Sequence, residues 1–257
     1  MYLPDAIRLA LEEDAFREDA MGKSTASVLL FPHQVLKIQP DGDEARNEVD
    51  MLRWLRGRLP VPAVLAHAVE GNTSYLLMGR CPGEMACDTG YFETPETLVE
   101  LLANGLKALW AVDVGGCPSR QGLTQKLAQA RYNVDHGLVD LEDAAPSTFG
   151  HGGFRDPAHL LEWLERNRPV EESVLSHGDF CLPNLFGAGS RPTGFIDLGK
   201  AGVADRWCDI ALCYRSLSAN LEGRYGGVPR PGFDPGRLFD ALGLEPASEE
   251  EGHTGYS

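Results

Sequence analysis

Residues 174–211, VLSHGDFCLPNLFGAGSRPTGFIDLGKAGVADRWCDIA, place three oxygen-bearing side chains at a characteristic spacing. Asp179 follows a histidine and a glycine, Asn184 comes shortly after it, and Asp197 ends an apolar run. Phosphoryl transfer needs a carboxylate that aims the attacking hydroxyl and hard oxygen ligands for Mg²⁺. The joint pattern between apolar strands therefore predicts a kinase-like site, with Asp179 as the catalytic carboxylate and Asn184 and Asp197 as the metal ligands.

Two segments further upstream predict a place for a buried ion pair. Residues 27–39, SVLLFPHQVLKIQ, read as two short strands interrupted by Pro32-His33, and residues 43–58 carry apolar side chains at helical spacing. Glu48 lies within the apolar stripe of that helix, where an unpaired carboxylate would be costly. We expect Lys37, in the middle of the preceding strand, to be its partner.

Several stretches of the chain resemble the bacterial aminoglycoside 3′-phosphotransferases, which are protein-kinase-like enzymes that phosphorylate a sugar hydroxyl of an antibiotic. The similar text comprises HGDFCLPNLF, TGFIDLGKAGVADRWCDIAL, WLRGRLPVP, YLLMGRCPGE and ALGLEP. The resemblance implies an α+β, two-lobed protein-kinase-like fold. Its nucleotide-binding lobe of antiparallel strands with one helix would cover residues 1–79, and its larger, mainly helical catalytic lobe would cover residues 80–257.

The resemblance also implies ATP and Mg²⁺ as cofactors. Lys37, oriented by Glu48, would neutralise the nucleotide phosphates. Backbone groups near Gly79 and Cys81, where a strand leads into the segment between the lobes, would bind the adenine edge. Small hydroxyl residues ahead of the hairpin would contact the phosphates, although each alone is also an ordinary turn residue: Ser24, Thr25 and Ser27.

The substrate contacts are less sharply defined by the sequence. Lys200 is either an electrostatic partner of the transferring phosphoryl group or of the catalytic carboxylate, or an exposed loop charge. The acidic segment 138–153 reads as a loop. Its carboxylates are candidates for binding substrate ammonium groups, with a solvated loop as the alternative: Asp140, Glu142 and Asp143.

The rest of the chain is predicted to be mainly helical. Thr94-Pro95 and Asp156-Pro157 each suit the start of a helix, because proline is favoured in the first turn. Val203 to Leu217 also reads as a helix, and Asp209 lies near its apolar stripe, which would consist of Trp207, Ile210, Ala211, Tyr214 and Leu217. The resemblance makes Asp209 a support of the catalytic loop.

Composition narrows the class of partner. The 257 residues include 38 acidic and 23 basic side chains, for a formal net charge of −15. This balance argues against nucleic acid and suits a polycationic amino sugar. Neither a long apolar run nor a signal-like N-terminus occurs, so we expect a cytoplasmic protein without a membrane partner. The six cysteines lack metal-binding spacing and are expected to be reduced thiols.

Two places depart from the family pattern. The text LEPASEEEGHTGYS is polar, whereas family members end in an aromatic- and leucine-rich helix whose terminal carboxylate reaches the aminoglycoside. Ser218-Ala219-Asn220 stand where the family tends to have acidic residues, and GRYGGVPRPGF follows them. Carboxylates elsewhere are candidates to replace the missing ones: Glu222, Glu249, Glu250 and Glu251.

Three functional hypotheses therefore remain open from the sequence. The first is an ATP-dependent aminoglycoside 3′-phosphotransferase, which the family text outside the catalytic loop favours. The second is a related kinase for another hydroxylated small molecule, such as a choline-like, sugar or macrolide substrate. The third is a nucleotide-binding protein without catalysis, against which the presence of Asp179, Asn184 and Asp197 argues.

Overall fold

The computed structural model of the protein describes residues 3–12, 15–18, 26–141, 144 and 147–244. The strands in these ranges are β1 (Arg17–Glu18), β2 (Ser27–Leu30), β3 (Gln34–Pro40), β4 (Val64–Glu70), β5 (Thr73–Gly79), β6 (Glu84–Met85), β7 (Ser173–Ser176), β8 (Leu185–Ala188), β9 (Arg191–Phe195) and β10 (Gly202–Asp205). The helices are α1 (Asp5–Ala10), α2 (Asp43–Leu55), α3 (Thr89–Glu93), α4 (Pro95–Trp110), α5 (Leu123–Asp135), α6 (Pro157–Arg166), α7 (Arg206–Leu221) and α8 (Arg237–Leu242).

The N-terminal part is an antiparallel sheet with the strand order β1-β2-β3-β5-β4. Successive side chains of a strand point to opposite faces, so the sheet buries both faces against helices. Leu36 of β3 and Leu77 of β5 join Ile7 of α1 in one buried cluster. Leu76 of β5 joins Val49 of α2 in the other. The predicted hairpin of β2 and β3 and the predicted helix α2 are confirmed, although α2 ends at Leu55 rather than at residue 58.

The larger part of the molecule is organised around α4. This helix begins after Thr94 with proline in its first turn, as predicted, and buries a long row of apolar side chains. It packs against α7 and α8 and against the strands β7, β8 and β9. One short 3₁₀ turn, Leu182–Asn184, lies just before β8, and another, Leu198–Lys200, lies shortly after β9. The loops that contain these turns hold the predicted catalytic and metal-binding residues, so the α4 core supports the site.

The predicted helix from Val203 to Leu217 is wrong at its start. Residues 202–205 form β10, which pairs antiparallel with β7, and α7 begins only at Arg206. Val203 is buried in this strand, and the Asp205 side chain caps the helix by accepting a hydrogen bond from the Trp207 amide at 2.8 Å. The apolar stripe is also displaced from the predicted one: Trp207 and Tyr214 are exposed, and the buried side of α7 carries Ile210, Cys213, Leu217 and Leu221.

No helix in the described part of the chain is both long and apolar enough to cross a membrane.

Candidate active site

Lys37 joins the sheet to the loop that follows β9. Its Nζ lies 2.8 Å from Glu48 Oε2 and 2.6 Å from Asp197 Oδ1. The Lys37 side chain is 13% exposed and that of Glu48 is 2% exposed. The predicted ion pair between the strand lysine and the helix glutamate is present, and Asp197 extends it into a three-residue network.

The network fixes the charges of its members. Burial alone would lower the pKa of Lys37, but Glu48 and Asp197 outweigh it and raise that pKa. Burial likewise opposes ionisation of Asp197, yet contact with Lys37 lowers the pKa of this carboxyl. Burial raises the pKa of Glu48, and Lys37 opposes that shift. Glu48 therefore depends on Lys37 for its charge.

Asp209 of α7 holds the loop that carries the predicted catalytic carboxylate. Its buried carboxylate accepts hydrogen bonds from the amides of His177 at 2.7 Å and Gly178 at 3.0 Å. His177 Nε2 lies 2.9 Å from the Ile196 carbonyl, and its Nδ1 lies 3.3 Å from the Asp179 amide. The carbonyl requires a donor and the amide an acceptor, so these contacts suit the ring tautomer with its hydrogen on Nε2. His177 thus links the two loops of the site.

The loop after β7, which carries Asp179, and the loop after β9, which carries Asp197, are called here the catalytic loop and the metal loop. They touch at Gly178. Its φ of +79° is in the left-handed region, and a Cβ there would lie 2.1 Å from the Lys200 carbonyl oxygen. Only glycine satisfies both demands. This close approach brings Lys200 Nζ to 3.8 Å from Asp179 Oδ2, with side chains that are 55% and 36% exposed. Of the two interpretations of Lys200, the geometry favours a partner of the carboxylate.

Asn184 is held with a defined orientation of its amide. Nδ2 donates to the Asp179 carbonyl at 2.9 Å and to Cys181 Sγ at 3.2 Å, which uses both amide hydrogens and leaves Oδ1 available to a metal ion. Its own carbonyl accepts from the Ile196 amide at 3.1 Å, beside Asp197. The contact with Cys181 was not foreseen from the sequence. Burial raises the pKa of the Cys181 thiol to about 12, which agrees with a packing role and not a nucleophilic one.

The donors at this site suit Mg²⁺. A carboxylate oxygen of Asp197 and an amide oxygen of Asn184 are hard ligands and would hold the ion. Within the described ranges, no cluster of three or more histidine, cysteine, aspartate or glutamate side chains is placed to hold a metal by itself. Asp197 has φ 60° and ψ 54°, a left-handed conformation that aspartate tolerates better than most residues.

The predicted adenine contacts are partly used by the protein. The Gly79 amide donates to the Ala63 carbonyl at 2.9 Å, and the Arg80 amide donates to the His33 carbonyl at 3.1 Å. The Gly79 amide is therefore committed to the sheet, and a nucleotide would use other backbone groups in this segment. Burial raises the pKa of the Cys81 thiol to about 11.

The phosphate-contact residues are described only in part. Ser24 and Thr25 lie outside the described residues. Ser27 is the first residue of β2, exposed and paired with Ile38, next to the pair that Val28 makes with Lys37.

Most of the predicted substrate residues lie outside the described residues. Asp140 lies in the segment after α5, whereas Glu142 and Asp143 lie outside the described residues, as do Glu249, Glu250 and Glu251. Glu222 pairs with Arg224 at 2.9 Å.

The segment that follows α7 covers the end of this helix. Asn220 is 3% exposed, and a Cβ at Gly227 would lie 2.2 Å from its carbonyl oxygen. The Arg230 amide donates to the Leu221 carbonyl at 2.9 Å, and the Arg230 side chain donates to the Phe92 carbonyl. Ala219 is buried as well, and Asn220 lies beneath the segment that follows α7.

A sheet lobe and a helical lobe that meet at a lysine–glutamate–aspartate network, beside an Asp-Asn loop, define a protein-kinase-like phosphotransferase. The chain belongs to the phosphotransferase enzyme family, whose model matches residues 29–239. It is 34% identical over 215 residues to an aminoglycoside 3′-phosphotransferase from Enterococcus faecalis, covering 80% of this chain and 75% of that protein. A second such relative, from Niallia circulans, is 40% identical over 173 residues, covering 67% and 64%.

Solved structures agree with the fold. A crystal structure of an aminoglycoside 3′-phosphotransferase of type VIII has a TM-score of 0.71 and 26% identity, and the match covers 98% of this chain and 93% of that one. An aminoglycoside phosphotransferase from Streptomyces rimosus, solved with ADP and streptomycin, matches with a TM-score of 0.66 and 22% identity over 93% of this chain and 95% of that one. The predicted two-lobed α+β kinase-like fold is confirmed.

Proposed function

We propose that this protein transfers the γ-phosphoryl group of ATP to the 3′-hydroxyl of an aminoglycoside and thereby inactivates the antibiotic. The observation that carries the proposal is the network in which Lys37 contacts both Glu48 and Asp197, next to the loop that bears Asp179 and Asn184. The choice of an aminoglycoside 3′-hydroxyl as the acceptor is supported by relatives at least 30% identical to this chain, which are named aminoglycoside 3′-phosphotransferases.

The proposed roles follow from position and charge. Lys37 neutralises phosphate oxygens of the nucleotide, while Asp197 and Asn184 hold Mg²⁺. The ion, when bound, supplies further positive charge for the oxygens of the transferred group. Asp179 accepts a hydrogen bond from the acceptor hydroxyl and takes its proton late, as the new O–P bond forms and the bond to the ADP oxygen breaks. Lys200 lies close enough to orient Asp179.

The proposal also covers the boundary between the two lobes and the position of ATP between them. The division falls between residues 79 and 80, because β5 ends at Gly79 and the chain leaves the N-terminal sheet there. ATP lies between the lobes, with its adenine near the backbone of residues 79–81 and its phosphates near Ser24, Thr25 and Ser27. A location in the cytoplasm suits an enzyme that uses ATP.

One observation favours a second candidate acceptor. Ala219 and Asn220 have no carboxylate and are buried, so these two positions offer an ammonium group no negative charge. The acidic loop with Asp140, Glu142 and Asp143 would have to bind the amino groups instead. If it does not, the acceptor is a less cationic hydroxylated small molecule, and the same catalytic residues act on it.

A coupled assay of ADP release tests the proposal. Purified protein with MgATP is assayed with kanamycin and, in parallel, with tobramycin, which lacks the 3′-hydroxyl. We expect turnover with kanamycin alone. Turnover with both would move the reaction to another hydroxyl, and MgATP binding without turnover on either would favour the second candidate or a protein without catalysis.

A further inference from the structure

Asn47 connects α2 to the loop that follows Asp197. Its Nδ2 donates to the Gly199 carbonyl at 2.8 Å and to the Ala201 carbonyl at 2.9 Å. These two carbonyls flank Lys200. Asn47 precedes Glu48 on the helix, so one turn of α2 contacts both the phosphate-binding lysine and the metal loop.

The two contacts close a ring through the site. Asp197 contacts Lys37, Lys37 contacts Glu48, and Asn47 returns from α2 to the residues just after Asp197. The distances at each link are between 2.6 and 2.9 Å. A ring of this kind restrains Asp197 from both of its sides, because its carboxylate is held by Lys37 and its backbone neighbours are held by Asn47.

Gly199, whose carbonyl Asn47 contacts, also packs tightly against α2. A Cβ at Gly199 would lie 2.6 Å from Glu44 Cγ and 3.0 Å from the Glu44 carbonyl oxygen. The loop therefore lies directly against the first turns of α2. A primary amide suits this place, because its single nitrogen carries two hydrogens and can serve both carbonyls. A carboxylate of the same size would turn an acceptor toward two other acceptors.

We propose that Asn47 is a positioning residue that sets the Asp197–Lys200 segment in register with Glu48 and Lys37, so that the metal carboxylate is placed before Mg²⁺ and nucleotide arrive. This inference deepens the proposed function and rests on it. Without Asn47 the loop is free to shift relative to α2, so more Mg²⁺ is needed to reach the same occupancy. A residue that only stabilised the fold would change the melting temperature and leave this Mg²⁺ requirement unaltered.

The test is ATP binding at a series of Mg²⁺ concentrations, measured by calorimetry on the full chain. The variants are Asn47→Ala and Asn47→Asp, and the matched control is Asn104→Ala. Asn104 also lies on a helix and donates to one backbone carbonyl, that of Ser190 at 2.9 Å, in the hairpin turn between β8 and β9. We expect the Mg²⁺ concentration for half-maximal ATP binding to rise roughly tenfold in Asn47→Ala. It should rise further in Asn47→Asp and stay unchanged in Asn104→Ala.

The outcomes separate this inference from the proposed function. If the unaltered protein binds ATP with Mg²⁺ and both Asn47 variants match it, the positioning role is overturned while the kinase assignment stands. If the unaltered protein binds no ATP at any Mg²⁺ concentration, both fail together. Should Asn47→Ala not fold, the isosteric Asn47→Asp carries the test, and a normal Mg²⁺ requirement in that variant would be sufficient to reject the role.

Discussion

The nucleotide side and the acceptor side of this site are built differently. On the nucleotide side, Lys37 is 13% exposed and Glu48 is 2% exposed, each has a charged partner at 2.8 Å, and the 41% exposed Asp197 lies 2.6 Å from Lys37. On the acceptor side, Asp179 and Lys200 are 36% and 55% exposed and lie 3.8 Å apart. A buried charge is stable only with a well-placed partner, whereas an exposed charge can be replaced at little cost. The fold therefore fixes the nucleotide chemistry more tightly than the acceptor.

One of the two departures from the family pattern falls within the described residues, at the end of α7. Ser218-Ala219-Asn220 and the segment after them alter the end of α7, while Lys37, Glu48, Asn184 and Asp197 stand where the resemblance requires them. The comparison thus predicts large effects for changes at the reacting residues. It predicts graded, salt-sensitive effects for changes among the acidic residues of the acceptor side.

The largest effect is expected for Asp179→Ala. Loss of the carboxylate that receives the hydroxyl proton should lower kcat by on the order of 10³-fold. ATP binding should survive, because the nucleotide contacts lie on Lys37 and Asp197. The measurement is kcat from ADP release together with ATP affinity from calorimetry. Asp113→Ala is the control, since Asp113 accepts a hydrogen bond in a turn, from the Gly115 amide. Normal turnover in Asp179→Ala would remove it from the mechanism.

Asp197→Asn should act on the nucleotide side instead. Asparagine tolerates the left-handed backbone of this position, so the change isolates the charge. We expect the dependence of ATP affinity on Mg²⁺ to be lost and turnover to fall about 100-fold, because the amide is a weaker metal ligand and no longer pairs with Lys37. Titration of ATP with and without Mg²⁺ checks this. A variant that keeps the full Mg²⁺ effect would contradict the assignment of Asp197 as a ligand.

Lys37→Met should affect stability as well as ATP affinity. Glu48 would be left buried without its partner, at a cost of about 3 kcal/mol in the free energy of unfolding. Burial raises the pKa of Glu48 and Lys37 opposes that shift. In Lys37→Met the pKa of Glu48 should therefore be higher still. A carboxyl whose folded pKa is raised favours the folded state below its unfolded pKa, and this contribution is lost as the pH rises through the folded value.

Denaturant unfolding should therefore show a lower free energy of unfolding for Lys37→Met than for the unaltered protein. This difference should shrink as the pH falls from the folded toward the unfolded pKa of Glu48. The double variant Lys37→Met/Glu48→Gln should recover part of the loss. Lys107→Met is the control, because Lys107 donates to a backbone carbonyl, that of Ala241, in an exposed contact. A deficit that does not change with pH would mean that Glu48 is not the source of the instability.

Asp140→Asn should have a smaller effect, confined to the acceptor. A carboxylate on a loop that attracts an ammonium group contributes little, so we expect KM for kanamycin to rise about two- to fivefold while KM for ATP is unchanged. The difference should shrink at high salt, since exposed charges are screened. An equal rise of KM at low and high salt would show that attraction by Asp140 is not the cause.

Much of the fold and part of the site could be predicted because the signals are local. The β2–β3 hairpin, the buried face of α2 and the helix starts at Thr94-Pro95 and Asp156-Pro157 each follow from a few neighbouring residues. The pairing of Lys37 with Glu48 followed from the cost of an unpaired buried carboxylate, which leaves few solutions.

The remaining contacts join distant parts of the chain. Asn47 reads as an ordinary polar residue of a helix, and only the folded chain places it against the Gly199 carbonyl, 152 positions away. The start of α7 was misplaced because Val203 and Ala204 suit a helix and a strand equally, and their pairing with β7 decides between the two. Periodicity identified the buried face of α2 but displaced that of α7, and it does not identify the long-range partners of either helix.

The smallest effect is expected at the cap of α6, away from the reacting groups. Asp156 accepts hydrogen bonds from Arg155 Nε and from the His159 amide, both at 2.8 Å, and these contacts lower the pKa of its carboxyl. A lowered folded pKa stabilises the protein above the unfolded value of about 3.9, and the contribution is lost as the pH falls through the folded value.

Asp156→Ala should therefore lower Tm slightly at pH 7 and less so toward acid. Asp156→Asn, which keeps a capping oxygen without the charge, should retain most of the stability. Melting curves of both variants from about pH 7 to about pH 2 test this, because the contribution is lost only below the unfolded pKa; kcat is measured alongside at pH 7. Since Lys37, Asp179 and Asp197 all lie outside α6, kcat should not change. A large loss of kcat in Asp156→Asn would mean that α6 is coupled to the nucleotide side. The comparison of the nucleotide side with the acceptor side would then have to include this helix.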